Sequence, residues 1–64
     1  MQITVNGTAT EVQAQTLADA LDELGYRDAK VATAVNESFV PATARDAPLS
    51  PGDRIEIVAP RQGG

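Results

Sequence analysis

Two adjoining stretches decide the fold, Gln2-Ile-Thr-Val-Asn-Gly-Thr-Ala-Thr-Glu-Val12 and Thr16-Leu-Ala-Asp-Ala-Leu-Asp-Glu-Leu-Gly-Tyr26. In the first, Ile3 and Val5 alternate with Gln2 and Thr4 up to Asn6-Gly7. Asn-Gly is the strongest short hairpin signal, because a type I′ turn needs φ > 0 at both central residues. Thr8 to Val12 therefore reads as the return strand. In the second stretch the period changes from two to near four. Leu17, Leu21 and Leu24 form one apolar stripe, with Thr16 as an N-cap and Asp19 three residues on in a variant capping box. Gly25 suits the left-handed residue that ends the helix, and Tyr26 would then pack back on Leu21, a structural role. Asp19, Asp22 and Glu23 lie off the stripe and are expected to be solvated surface, with Asp19 also suited to the helix dipole.

Beyond the helix the strand signals return. Val31 to Val35 reads as a strand, Asn36-Glu37 as a turn and Ser38 to Val40 as its partner, which Pro41 ends by removing a ladder donor. Ala42 to Leu49 has no period, and Leu49 is its expected anchor in the core. Ser50-Pro-Gly-Asp53 places Pro and Gly as a type II turn requires. Arg54 to Val58 alternates again, with Ile55 and Ile57 inward and Glu56 outward. The expected core is Ile3, Val5, Leu17, Leu21, Val35, Val40, Leu49, Ile55 and Ile57. A hairpin, one helix, then three more strands predict an α+β fold, a small mixed five-stranded sheet packed on one helix. The first and last strands would lie parallel at its centre. This is the β-grasp arrangement of ubiquitin-like proteins, and it hosts many functions. Residues 1–58 form the expected domain, and 59–64 a flexible tail.

Composition narrows the function classes. With 64 residues there is room for one domain and a thin core. Neither Cys nor His occurs, which removes disulfides, zinc sites and most nucleophile–base pairs. Asp22 and Glu23 are adjacent on a helix and so do not face each other as a catalytic pair would; no catalytic residue and no metal ligand is expected. The net charge of −4 without a basic cluster argues against nucleic acid or an anionic membrane as partner. No apolar run approaches the roughly 20 residues that span a bilayer, and no signal-peptide pattern opens the chain. A cytoplasmic monomer is the expectation.

The sequence ends on Gly63-Gly64. With Gly at about 7% of residues, two terminal glycines arise by chance in roughly 0.5% of chains, so a linker remnant or loose end remains an ordinary explanation. What sharpens the pair is the sequence before it. Val31-Ala-Thr-Ala-Val-Asn36, Phe39-Val40-Pro41, Leu49 and Gly52-Asp-Arg-Ile-Glu-Ile-Val58, in register with the terminal diglycine, resemble the thiamine-biosynthesis sulfur carriers. The resemblance extends to the Asn6 turn and the Leu17/Leu21 helix. One departure stands out: where those carriers often have a basic residue and then an aromatic after Val-Pro, this chain has Ala42 and then Thr43 to Asp46 without an aromatic.

That resemblance implies a protein co-substrate, not an enzyme. Gly64 would be adenylated by a ubiquitin-activating-like adenylyltransferase using ATP and Mg, with no cofactor held by this chain. A persulfide-bearing sulfur donor would then displace AMP and leave a terminal thiocarboxylate, whose sulfur passes to thiazole synthase. Gly63, lacking a Cβ, would keep the approach to the reacting carbonyl open. Arg61 and Gln62 are the candidate partner contacts, although Arg61 also reads as a solvated tail charge. The six residues from 59 to 64 could extend about 20 Å into an active site. Related readings are the small subunit of molybdopterin synthase, a ubiquitin-like modifier joined to lysines, and a plain binding module. An intact-mass measurement on protein from its own cells separates a sulfur carrier from a modifier: a carrier gains about 16 Da when sulfur replaces oxygen, whereas a modifier appears in high-mass conjugates. A plain binding module would keep its partner when the glycines are trimmed.

Overall fold

The computed structural model describes residues 1–26 and 29–59. Five strands and one α-helix occur in the order β1 (Gln2–Val5), β2 (Thr8–Glu11), α1 (Leu17–Glu23), β3 (Ala32–Val35), β4 (Ser38–Val40) and β5 (Arg54–Val58), with a 3₁₀ turn at Ala42–Ala44. The sheet order is β2-β1-β5-β3-β4. Strand β5 lies in the middle, parallel to β1 and antiparallel to β3. The mixed sheet and central parallel pair agree with the reading of the sequence.

Local signals act where their chemistry requires. Asn6 and Gly7 have φ of 49° and 85°, as a type I′ turn demands. Asn36 and Glu37 build the second hairpin at 51° and 73°. A left-handed Glu is uncommon and strained; its carboxylate lies 3.3 Å from the Arg54 guanidinium, an exposed pair of little energetic weight. Thr16 caps the helix by accepting a hydrogen bond from the Asp19 N–H at 3.2 Å. At the other end Tyr26 N–H donates to Leu21 C=O at 2.8 Å and Gly25 N–H to Asp22 C=O at 3.2 Å. With Gly25 at φ 93° this is a Schellman motif. Tyr26 packs against the core, as expected.

The buried core is Ile3, Val12, Ala14, Leu17, Ala20, Leu21, Leu49, Ile55 and Ile57. Three expected members, Val5, Val35 and Val40, are only half-buried. Val5 and Val35 each end a strand at a hairpin turn, and Val40 lies on edge strand β4, so a seven-residue helix leaves them at the rim. Their places are taken by residues that the strand periods miss. Val12 and Ala14 follow β2 into the helix connection, and Ala20 sits beside Leu21 on α1. Thr33 is buried at 2% exposure, donating its hydroxyl to Val40 C=O at 2.9 Å. Arg45 supports it, donating from Nε to Thr33 Oγ1 at 3.3 Å and from Nη2 to Val31 C=O at 2.6 Å.

Glu23 corrects another expectation. It is not plain solvated surface: both carboxylate oxygens accept from Gln13 N–H at 3.0 Å, and Oε1 also accepts from Ala14 N–H at 3.0 Å. The helix end thereby fastens the chain that enters the helix. The aperiodic segment also has a task. Ala47 and Arg45 carbonyls accept from Leu17 and Ala18 N–H groups at 3.3 and 2.7 Å, satisfying first-turn donors that a helix cannot pair internally. Leu49 anchors the segment in the core, as expected.

Leu21→Ala should lower the unfolding free energy by about 2–5 kcal/mol, a large share of what so small a domain has. Thermal or denaturant melting reads it; a melting point within a degree or two of the parent would refute the helix-facing assignment.

Candidate functional site

The alternation of β5 sends Ile55 and Ile57 into the core and Arg54, Glu56 and Val58 to the opposite face of the sheet. Among the described residues no helix lies over that face. By register, Ala32 and Ala34 of β3 stand beside Val58 and Glu56, and Phe39 of β4 stands beside Ala34. Phe39 is 70% exposed and Val58 63%. With Asn6, Ala32, Ala34 and Glu56 they line a shallow depression, predominantly apolar. Large apolar side chains shown to water as one group, rather than scattered, mark an interaction surface. Phe39 went unassigned in the sequence because a three-residue edge strand after a turn carries too short a period to say which way its middle residue points.

Val58 belongs both to this depression and to the end of β5, so the apolar surface runs up to the point where the chain leaves the sheet. The backbone there is held on both edges. Ala32 pairs with Val58 from the β3 side. From the β1 side, the Asn6 carboxamide accepts from Ile57 N–H at 2.8 Å and donates to Ile57 C=O at 3.1 Å.

Gly63 and Gly64, the expected reacting end, and Arg61 and Gln62, the expected partner contacts, lie outside the described residues. What the fold establishes is the last strand, which ends at Val58, and the surface next to it. Among the described residues no group of three or more His, Cys, Asp or Glu could hold a metal ion. No helix among them is long and apolar enough to cross a membrane. Within the described part the outer sheet face presents the exposed Phe39 and Val58 around that shallow depression.

Comparison with known proteins bears on what is recognised. Residues 3–64 match the model of the ThiS family. The chain is 38% identical over 61 residues to the sulfur carrier protein ThiS of Thermus thermophilus, covering 94% of this chain and 95% of that protein. Its fold superposes on the crystal structure of the thiamine biosynthesis protein ThiS from Geobacter metallireducens with a TM-score of 0.80, at 29% identity and over the full length of both chains.

Proposed function

The chain belongs to the ThiS family and serves as a sulfur carrier in thiamine biosynthesis; we propose that Gly64 carries the sulfur and that the Phe39–Val58 face docks on the enzyme that activates it. A carboxylate is a poor electrophile, because its charge is delocalised over both oxygens. Adenylation by a ubiquitin-activating-like partner, which binds the ATP and Mg, makes the terminal carbonyl reactive. The terminal sulfur of a persulfide-bearing donor then attacks that carbonyl and displaces AMP, giving an acyl disulfide. A second thiol of the partner proteins cleaves its S–S bond, leaving a thiocarboxylate on Gly64 and a disulfide on the partner side, and thiazole synthase takes the sulfur. The chain contains no Cys, so the sulfur must come from outside it. The single observation that carries this reading is a family match spanning residues 3–64, both terminal glycines included.

The surface next to the tail supports a division of labour. Phe39 and Val58 give the partner an apolar anchor on the folded domain, while residues 59–64 supply reach. Contact area at the domain holds the complex together; the glycines let the end of the chain pass through a narrow channel and bring no Cβ near the reacting carbonyl. The acidic chain, at net charge −4, favours a more basic partner face, so association should slow as salt rises.

Two variants test the two halves. Deleting Gly64 should abolish ATP–pyrophosphate exchange with the activating enzyme and leave the melting temperature unchanged; full exchange would overturn the role of Gly64. Phe39→Ser should raise the KM for the carrier in the same assay at least fivefold, as loss of an anchor worth over about 1 kcal/mol requires. Its effect on stability should stay within about 0.5 kcal/mol, because the ring is largely exposed. An unchanged KM would remove Phe39 from the docking face.

A further inference from the structure

Strand β1 stops short of the last residues of β5, and a side chain completes the pairing. The β1–β5 ladder matches only Thr4 with Arg54 and Val5 with Ile55. Asn6 then enters the left-handed region at φ 49° and the chain turns away into β2. Its N–H still donates to Ile55 C=O at 2.9 Å. Beyond that point Ile57, whose N–H and C=O face the same edge as those of Ile55 because backbone groups alternate along a strand, has no β1 backbone to meet. The Asn6 side chain fills the gap, with Oδ1 accepting from Ile57 N–H at 2.8 Å and Nδ2 donating to Ile57 C=O at 3.1 Å. A carboxamide offers the donor and acceptor of a peptide group. Asn6 thus extends β1 by one peptide unit after the backbone has left.

Resting on the reading that Gly64 is activated in a partner's site, we propose that Asn6 is a positioning residue for that step. By clamping Ile57 it keeps β5 formed to Val58 and fixes where the last strand ends. Ile57 lies seven residues before Gly64 in the sequence. With the clamp gone, Ile57 and Val58 keep their pairing to Thr33 and Ala32 on the β3 side alone. A strand end held on one edge frays, and the activating enzyme would then have to order it. Fixing the backbone of one residue costs about a factor of ten in an equilibrium constant.

The molecule contains its own control. Asn36 occupies the equivalent turn of the other hairpin at φ 51° and also reaches β5 with its carboxamide. It accepts from Arg54 N–H at 3.0 Å and donates to Asp53 Oδ1 at 3.1 Å. These bonds hold the beginning of β5, the end away from the tail. Asn6→Gly and Asn36→Gly each remove a carboxamide while tolerating the positive φ, so their losses of stability should be comparable. Their effects on activation should not be.

In ATP–pyrophosphate exchange with the full chain, Asn6→Gly should lower kcat about tenfold with less than a twofold change in KM. Asn36→Gly should leave both within twofold. Amide hydrogen exchange of Ile57 should accelerate at least tenfold relative to the core amide of Ile55 in the first variant and not in the second. Asn6→Asp keeps the acceptor for Ile57 N–H and loses the donor, and should fall between the parent and Asn6→Gly; it also serves if Asn6→Gly fails to fold. Equal kcat in the two glycine variants, or unchanged Ile57 protection with a raised KM, would overturn the proposal, the latter by making Asn6 a contact residue of the docking face. A parent chain inert in exchange would instead refute the activation reading itself.

Discussion

A strand in the middle of a sheet must find backbone partners along both edges, because buried N–H and C=O groups without partners are costly. Strand β5 meets that demand with neighbours of unequal reach. On one side β3 runs antiparallel beside it from Val35↔Ile55 to Ala32↔Val58. On the other, β1 offers two parallel pairs before it turns. The shortfall at Ile57 is covered by Asn6, and the approach to Arg54 by Asn36. Each asparagine follows a valine and begins a hairpin turn at positive φ. The same short signal thus performs two tasks, reversing the chain and bracing the central strand.

The helix rests on a comparable economy. Seven residues are too few for a stable helix in water, and α1 persists because other parts of the chain hold its ends. Ala47 and Arg45 carbonyls take first-turn donors, Thr16 takes another, and Gly25-Tyr26 close the last turn. Glu23 returns the support by binding Gln13 and Ala14 N–H groups. A helix this short covers one face of the sheet incompletely, which leaves Val5, Val35 and Val40 at the rim. Among the described residues no helix covers the other face, and there Phe39 and Val58 are exposed. The exposed apolar face thus follows from there being, among the described residues, one α-helix for a sheet with two sides.

Turn chemistry made most of this fold legible from residues alone. Asn6-Gly7, Gly25 and Pro51-Gly52 each need a backbone conformation that few other residues accept, and all three sit where the chain reverses or a helix stops. Alternation in β5 correctly divided Ile55 and Ile57 from Glu56, and the leucine spacing found the buried face of α1. Burial was harder to read where no period exists. Val12 and Ala14 lie in a connection, and Thr33 is buried because the Val40 carbonyl and the Arg45 guanidinium satisfy its hydroxyl. Glu23 looked like surface because its partners are backbone amides ten and nine residues earlier, invisible to a helical wheel.

By itself the sequence determined the element order, the hairpin and helix ends, the central pairing of first and last strands, and the family to which the terminal diglycine belongs. These depend on local conformational preference and short-range period, which are written residue by residue. Only the tertiary structure decided which hydrophobic side chains remain outside, that Arg45 and Glu23 are structural, and that Asn6 clamps Ile57 across 51 positions of chain. Such facts depend on which distant groups meet, and a carboxamide at position 6 carries no local mark of the strand it will complete.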